Sequence, residues 1–219
     1  MKNVRAWFTK EGQARYISHL DLNRVMLRAI HQSRLPVWYT EGYNQHPFVT
    51  FALPLSLGFI GKRESMDLRL LDDAFSLDRV SNALNNVLPE GIRIFAVTQP
   101  VMKPGEIAFA DFTIFIAGGG FSAQALVEKF NHFLALPQIL VHKKTKSGIK
   151  EFDLKPLLTQ YTAAPFEDGM HLQIRLPAGS AGNVNPVLML GAFENNCETE
   201  LFYRITRQDL YNGDGERFV

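Results

Sequence analysis

The first hundred residues alternate between strand-like and helix-like hydrophobic patterns. Val4–Lys10 places apolar side chains at every second position, which predicts a strand, and Ser18 can cap a helix with one apolar stripe. A second helix follows Ser76, and Pro89 marks its end. The remaining predicted strands are Val37–Thr40, Phe48–Leu57, Met66–Leu70 and Ile92–Val97. The order is βαββαβ, which favours a ferredoxin-like sheet with two helices on one face.

The second half repeats this order in a degenerate form. Its predicted elements are a strand Asp111–Ala117, a helix capped by Ser122, strands Ile139–His142 and His171–Leu176, a helix from Asn185–Pro186, and a strand Leu201–Thr206. The Pro- and Gly-containing stretch after Gln99 is typical of a linker. The sequence therefore predicts an α+β protein with two tandem ferredoxin-like halves, residues 1–100 and 101–219, and a frayed tail at Arg217–Val219.

Composition narrows the possible functions. The chain has 219 residues, of which 46% are hydrophobic, and a formal net charge of +1, so only local basic clusters could hold phosphates. Its single cysteine, Cys197, excludes an internal disulfide and the three-cysteine motif of an iron–sulfur cluster. No signal peptide, membrane span or cofactor motif is found, so we expect a soluble, cytoplasmic protein that carries no cofactor of its own.

The start of the first helix concentrates polar chemistry in Arg15, Tyr16, His19 and Asp21. Free backbone N–H groups at a helix start favour a phosphate or carboxylate. Helical spacing adds further polar residues to one exposed face, namely Arg24, Arg28 and His31. The alternative is a solvated face on which Asp21 pairs with an arginine. His19 is a candidate acid or base because its reference pKa is near neutrality, and a structural role beside the cap is the alternative.

A second candidate group lies in the turn-rich segment Glu41–Pro47, which contains Tyr43, Asn44 and His46. Tyr43 could stack on a base, and His46 is a second candidate acid or base. In a ferredoxin-like sheet this loop and the first helix start tend to lie at opposite ends, so a joint site with His19 is not required. A metal site of His19, Asp21 and His46 lacks any close ligand repeat, and we predict no bound metal.

The densest positive segment runs from His142 to Lys150 and contains Lys143, Lys144, Lys146 and Lys150. Such a loop can follow a nucleic-acid backbone. The alternative is an exposed basic hairpin that contributes only to solubility.

Five motifs carry a resemblance to a known family. They are the runs Arg15–Leu22, Glu41–Pro47 and Leu53–Leu55 ahead of Gly58, with Leu88–Ile92 and Lys144–Gly148 followed by Asp153. Together they resemble the radical-SAM-linked DUF2344 family. Tyr43 and Gln45 stand where the family more often has Phe and Pro. The resemblance covers most of the chain and implies partnership with a radical SAM protein, which would perform any radical chemistry.

Three functions follow as hypotheses. The first is a non-catalytic recognition or accessory module for a radical SAM enzyme, which binds RNA or another phosphate-rich substrate through the polar helix start and the lysine loop. The second is a metal-independent ribonuclease with His19 or His46 as acid or base. The third is a protein-docking scaffold.

Overall fold

The structure, a computed structural model, describes residues 1–145, 148–180 and 182–219, without the side chains of residues 143–145, 149 and 150. The described residues form four α-helices and ten strands in a mixed α+β arrangement, so the α+β prediction is confirmed. The chain divides into two compact units. Unit 1 comprises Met1–Ile107 together with Arg207–Val219, and unit 2 comprises Ala108–Thr206.

Unit 1 contains two helices and a sheet in which β1 is paired with both β3 and β4. Its elements are β1 (Lys2–Lys10), α1 (His19–Ser33), β2 (Val49–Phe51), β3 (Ile60–Leu70), α2 (Leu77–Asn85) and β4 (Ile92–Thr98). The strand order is β4-β1-β3, the short β2 is also paired with β3, and the C-terminal part of a later strand, β10 (Leu201–Asn212), adjoins β3. The pairs β1/β3, β1/β4 and β2/β3 are antiparallel.

Alternation along β1 and β3 produces the core of unit 1. Val4, Ala6 and Phe8 face the same side as their neighbours on β3, with Val4 opposite Leu68 and Ala6 opposite Met66. The apolar stripe of α1 covers this face, as its spacing predicts, because Leu22, Met26, Ala29 and Ile30 are all buried. Full burial of each such large side chain stabilises the fold by about 1.5–3 kcal/mol.

Two predicted strands of unit 1 differ from the structure. Val37–Thr40 forms only isolated bridges, from Val37 to Leu70 and from Tyr39 to Pro47. The strand after it is confined to Val49–Phe51, because Pro54 has no backbone N–H with which to continue a ladder.

The predicted frayed tail is wrong. Phe218 is fully buried and its ring lies 6.1 Å from that of Trp7. The buried Arg5 donates to both carboxylate oxygens of Asp67, at 2.6 and 2.8 Å, and to the carbonyl of Val219 at 2.9 Å. Arg63 donates to the carbonyl of Phe218 at 2.7 Å. The tail therefore covers the side of β1 and β3 that faces away from the helices.

Unit 2 contains a sheet, two helices and a separate two-stranded hairpin. Its elements are β5 (Ile107–Gly118), α3 (Ala123–Ala135), β6 (Leu140–Thr145), β7 (Gly148–Asp153), β8 (Gln160–Phe166), β9 (Gly169–Pro177), α4 (Pro186–Cys197) and β10 (Leu201–Asn212). Ile107 at the start of β5 belongs to unit 1, as does β10 from Arg207 onwards. The order is β10-β5-β9-β8, and β6 and β7 form a separate two-stranded sheet. The predicted caps of α3 and α4 are confirmed, since Ser122 accepts from the N–H of Ala125 and Asn185 from that of Val187.

Candidate functional site

A lysine lies on the core face of β1. Lys10 follows Phe8 in the alternation and is fully buried. Its Nζ donates to the carbonyl oxygens of Ile17 at 2.7 Å and Arg15 at 3.3 Å, so the 3₁₀ turn Gly12–Tyr16 and the residue after it close over the ammonium group. Burial lowers the pKa of Lys10, the positive charge of Arg207 lowers it further, and the carboxylate of Glu64 opposes both effects.

Glu64 and Arg207 form a buried ion pair beside Lys10. Their side chains are only 4% and 5% exposed. Arg207 Nε donates to Glu64 Oε1 at 2.9 Å, and Arg207 Nη2 donates to the other carboxylate oxygen. The same guanidinium donates to the carbonyls of Leu53 at 2.8 Å and Pro54 at 3.0 Å. Arg207 thereby fixes the Leu53–Leu55 motif as Lys10 fixes the Arg15–Leu22 motif.

Space for the Glu64 carboxylate depends on a neighbouring glycine. A Cβ atom at Gly61 would lie 2.5 Å from Glu64 Cγ. Any larger residue at position 61 would therefore displace the carboxylate from Arg207.

His19 is the first residue of α1, directly after the N-cap Ser18, whose Oγ accepts from the N–H of Asp21 at 3.1 Å. Its ring contacts the ring of Phe51 edge-on at 5.1 Å. Its Nδ1 is buried and has no hydrogen-bond partner among the described residues. Burial lowers the pKa of His19, and the positive charges of Arg207 and Lys10 lower it further, so the imidazole is neutral at neutral pH.

We call the buried Lys10, Glu64 and Arg207, together with the half-buried His19 on which their charges act, the buried charge cluster. With a neutral imidazole it holds two cations and one carboxylate, and so carries a net positive charge. Positive charge in a site of low dielectric favours an anion.

Arg15 and Tyr16 form the outer side of the turn that holds Lys10. The guanidinium carbon of Arg15 lies 4.6 Å from the centre of the Tyr16 ring, and Arg15 Nη2 donates to the tyrosine hydroxyl. Arg15 Nε is buried and has no hydrogen-bond partner in the described part of the chain. Tyr16 is 62% exposed, so the pair presents a cation and an aromatic face to solvent.

The polar face of α1 beyond His19 is largely neutralised. Asp21 accepts from Ser18 Oγ at 2.7 Å and from Arg24 Nη1 at 2.9 Å. These two hydrogen bonds lower the pKa of Asp21, that of Ser18 first. The pairing of Asp21 with Arg24 matches the solvated-face alternative. Arg28 lies one turn beyond this pair as an exposed cation.

The Tyr43–His46 segment has its own set of contacts. His46 Nδ1 lies 3.0 Å from the carbonyl oxygen of Asn44 and 3.2 Å from Thr40 Oγ1, and Tyr43 is fully exposed. No hydrogen bond, ion pair or ring contact between described residues joins His46 to His19. Nor do any three His, Cys, Asp or Glu side chains in the described ranges form a group that could hold a metal ion.

The structure describes part of the backbone of the lysine loop and not its lysine side chains. Lys143 and Lys144 lie in β6 and Lys150 in β7, where the backbones of Lys143 and Lys150 are paired. The side chains of these three residues, and the whole of Lys146, lie outside the described residues.

Lys10, Glu64 and Arg207 were not predicted as site residues from the sequence. A signal was present for two of them: Lys10 continues the series Val4, Ala6, Phe8, and Glu64 precedes Met66, Leu68 and Leu70 at the same spacing of two. A charged residue in register with an apolar strand face must be paired when buried. Arg207 follows a predicted strand, and no local pattern identifies its partner.

These features define a mixed α+β protein in which two sequence motifs close over a buried charge cluster. The chain belongs to the DUF2344 family, described as uncharacterized protein conserved in bacteria, whose model matches residues 3–186. That range includes Lys10, His19 and Glu64, and ends before Arg207. The family predicted from the motifs is thus confirmed, and the link to a radical SAM protein stays a prediction. No curated protein matches the chain. None of the helices in the described ranges is long and apolar enough to cross a membrane.

Proposed function

We propose that the chain is a non-catalytic recognition module that binds a phosphate group of RNA at the start of α1, for a radical SAM partner in the cytoplasm. The observation that carries the proposal is the net positive buried charge cluster together with two nitrogens that lack partners among the described residues, Nδ1 of its own His19 and Nε of Arg15 in the turn that holds Lys10. Both nitrogens belong to the family motif Arg15–Leu22.

Phosphate suits these groups for three reasons. An arginine N–H and an imidazole N–H can each donate to a phosphate oxygen, and such charge-assisted hydrogen bonds are stronger than neutral ones. The first backbone N–H groups of a helix add donors to an anion at the same end. The exposed ring of Tyr16 can stack on the base next to the bound phosphate, as aromatic side chains do in single-stranded RNA complexes.

We also infer that each unit is a ferredoxin-like half. Strand and helix order supports this in unit 1 as β1-α1-β2-β3-α2-β4, with β4-β1-β3 adjacent and β2 on β3. In unit 2 the corresponding order is β5-α3-β8-β9-α4-β10, with adjacency β10-β5-β9-β8 and the β6–β7 hairpin as an insertion. Fold likeness alone transmits no function, so the RNA proposal rests on the site.

RNA binding is tested by fluorescence anisotropy of labelled single-stranded RNA at low and moderate salt. Arg15→Ala and His19→Gln should each weaken binding about 10-fold or more, and the affinity should fall as salt rises. Arg93→Ala, at an exposed arginine of β4, is the matched control and should change the affinity less than about threefold. Equal losses in Arg15→Ala and Arg93→Ala, or no binding of any RNA at low salt, would overturn the proposal.

The lysine loop needs a separate variant, Lys143→Ala/Lys144→Ala/Lys146→Ala. If the loop follows the RNA backbone, this variant should lower the slope of log affinity against log salt by about one unit for each lost phosphate contact. An unchanged slope would restrict RNA binding to the site at α1.

A ribonuclease is the second candidate, and one observation favours it. Because its pKa is lowered, His19 is neutral at neutral pH and could accept a proton from a ribose hydroxyl. Incubation of RNA with the purified protein in EDTA tests this activity. Cleavage that disappears in His19→Ala would establish the enzyme, His46→Ala tests the other imidazole, and binding without turnover would support recognition alone.

A further inference from the structure

Unit 2 carries an aromatic patch that the site in unit 1 does not use. It consists of Phe115, Phe166, His171 and Phe202. The rings of Phe166 and His171 are stacked, with centres 3.8 Å apart and planes 12° apart. Phe115 contacts Phe166, His171 and Phe202 edge-on, at 6.3, 5.8 and 6.4 Å. Phe202 and Phe166 are 56% and 38% exposed, so the patch is open to solvent.

The patch lies on the sheet face that the helices of unit 2 leave uncovered. Ile114 and Ile116 on β5 are buried, as are Leu172 and Met170 opposite them on β9, and alternation places Phe115 and His171 on the other face. Tyr203 OH donates to the carbonyl of Leu190 in α4, so its neighbours Phe202 and Arg204 point away from the helices.

A cluster of carboxylates surrounds one end of the patch. Glu167 and Asp168 form the β8–β9 turn, and Glu198 and Glu200 lie between α4 and β10; all four are exposed. The two groups belong to the same end of the sheet, because Ala117 pairs with Gly169 and a Cβ atom at Gly118 would lie 3.5 Å from the carbonyl oxygen of Glu200.

We propose that the aromatic patch docks a partner protein whose contact surface has an apolar centre and a rim of lysine and arginine. Phenylalanine and arginine side chains are enriched in protein interfaces, and the exposed Arg204 lies over the largely buried Phe115 with its guanidinium carbon 5.2 Å from the ring centre. The four carboxylates attract a basic protein rim and repel RNA phosphates. A second copy of the chain would bring like charges together, which is also unfavourable. The inference does not depend on anion binding in unit 1.

Site-specific photocrosslinking in cells tests the surface. The photoreactive residue p-benzoylphenylalanine replaces Phe202 in one full-length variant and Phe95, an exposed phenylalanine of β4, in the control. A protein adduct at position 202 and not at position 95 identifies the partner. The crosslinked peptide of that partner should contain or adjoin several Lys or Arg residues.

Binding assays with the purified partner then measure the affinity and the association rate of the complex. Phe202→Ala should weaken the complex about 30-fold, and Glu167→Lys/Asp168→Lys should lower the association rate and its dependence on salt. Arg15→Ala should bind the partner as the unchanged protein does, so failure of RNA binding and failure of docking are distinguished. Equal adducts at positions 202 and 95, an adduct with RNA or a second copy alone, or a complex unaffected by Phe202→Ala would overturn the proposal.

Discussion

Replacement of Glu64 by Gln isolates the energetic role of the only carboxylate in the buried charge cluster. The substitution keeps the size of the side chain and leaves Arg207 and Lys10 buried without a compensating negative charge. An ion pair at about 3 Å is worth about 5 kcal/mol at an effective dielectric constant near 20. Removal of one partner from a buried pair costs about 3–5 kcal/mol in measured cases. We therefore expect the free energy of unfolding of unit 1 to fall by about 3–5 kcal/mol.

Urea unfolding followed by tryptophan fluorescence measures this loss specifically. The chain has two tryptophans, Trp7 and Trp38, and both belong to unit 1. With an m-value of about 2 kcal/mol/M, the midpoint should fall by about 1.5–2.5 M. The matched control is Glu11→Gln, because Glu11 is partly exposed and pairs with Lys62 at 2.7 Å. Its loss should be below about 1 kcal/mol.

Two results would refute the reasoning. One is a Glu64→Gln midpoint equal to that of Glu11→Gln. The other concerns the double variant Glu64→Gln/Arg207→Met. Because the two side chains are directly paired, its loss should be smaller than the sum of the single losses, and simple additivity would show that the charges do not interact.

Three further outcomes are expected. In the folded protein the pKa of His19 lies below the ordinary value of 6.5. As pH falls below 6.5 the unfolded chain therefore binds more protons than the folded chain, and the free energy of unfolding decreases until pH reaches the folded pKa. We expect this decrease to be shallower in His19→Gln, and equal slopes of unfolding free energy against pH, measured by urea titration, would contradict the prediction. Phe218→Ala should cost about 3–5 kcal/mol by urea unfolding, against less than about 1 kcal/mol for Phe95→Ala at an exposed phenylalanine of the same unit, and similar small losses would refute the burial argument. Gly61→Ala should cost about 1–3 kcal/mol because its Cβ displaces Glu64, and a neutral result in the same assay would show that the carboxylate has room to move.

Local patterns predicted most helices and strands because each depends on neighbouring residues. The stripe of α1 and its Ser18 cap are confirmed, as are the caps of α3 and α4. The β8 strand was missed because Gln160–Phe166 is exposed along most of its length and lacks a clean alternation. Its position at the edge of the sheet explains the weak signal.

The candidate site was only partly predictable, for a related reason. Arg15 and His19 stand in a contiguous motif, whereas Lys10 and Glu64 belong to separate strands and Arg207 lies 143 residues after Glu64. Composition and spacing do not encode such a long-range pair. The alternation of β1 and β3 could have identified Lys10 and Glu64 as buried charges, since each occupies a position on the apolar face.

The return of residues 207–219 to unit 1 has a consequence for folding during synthesis. All of unit 2 lies between the two segments of unit 1, so a ribosome completes unit 2 before it has made Arg207 or Phe218. Because domains fold as units when their residues become available, we expect unit 2 to fold first and the charge cluster around His19 to form last. A released chain that ends at residue 206 should therefore contain a protease-resistant unit 2 and a protease-sensitive N-terminal segment.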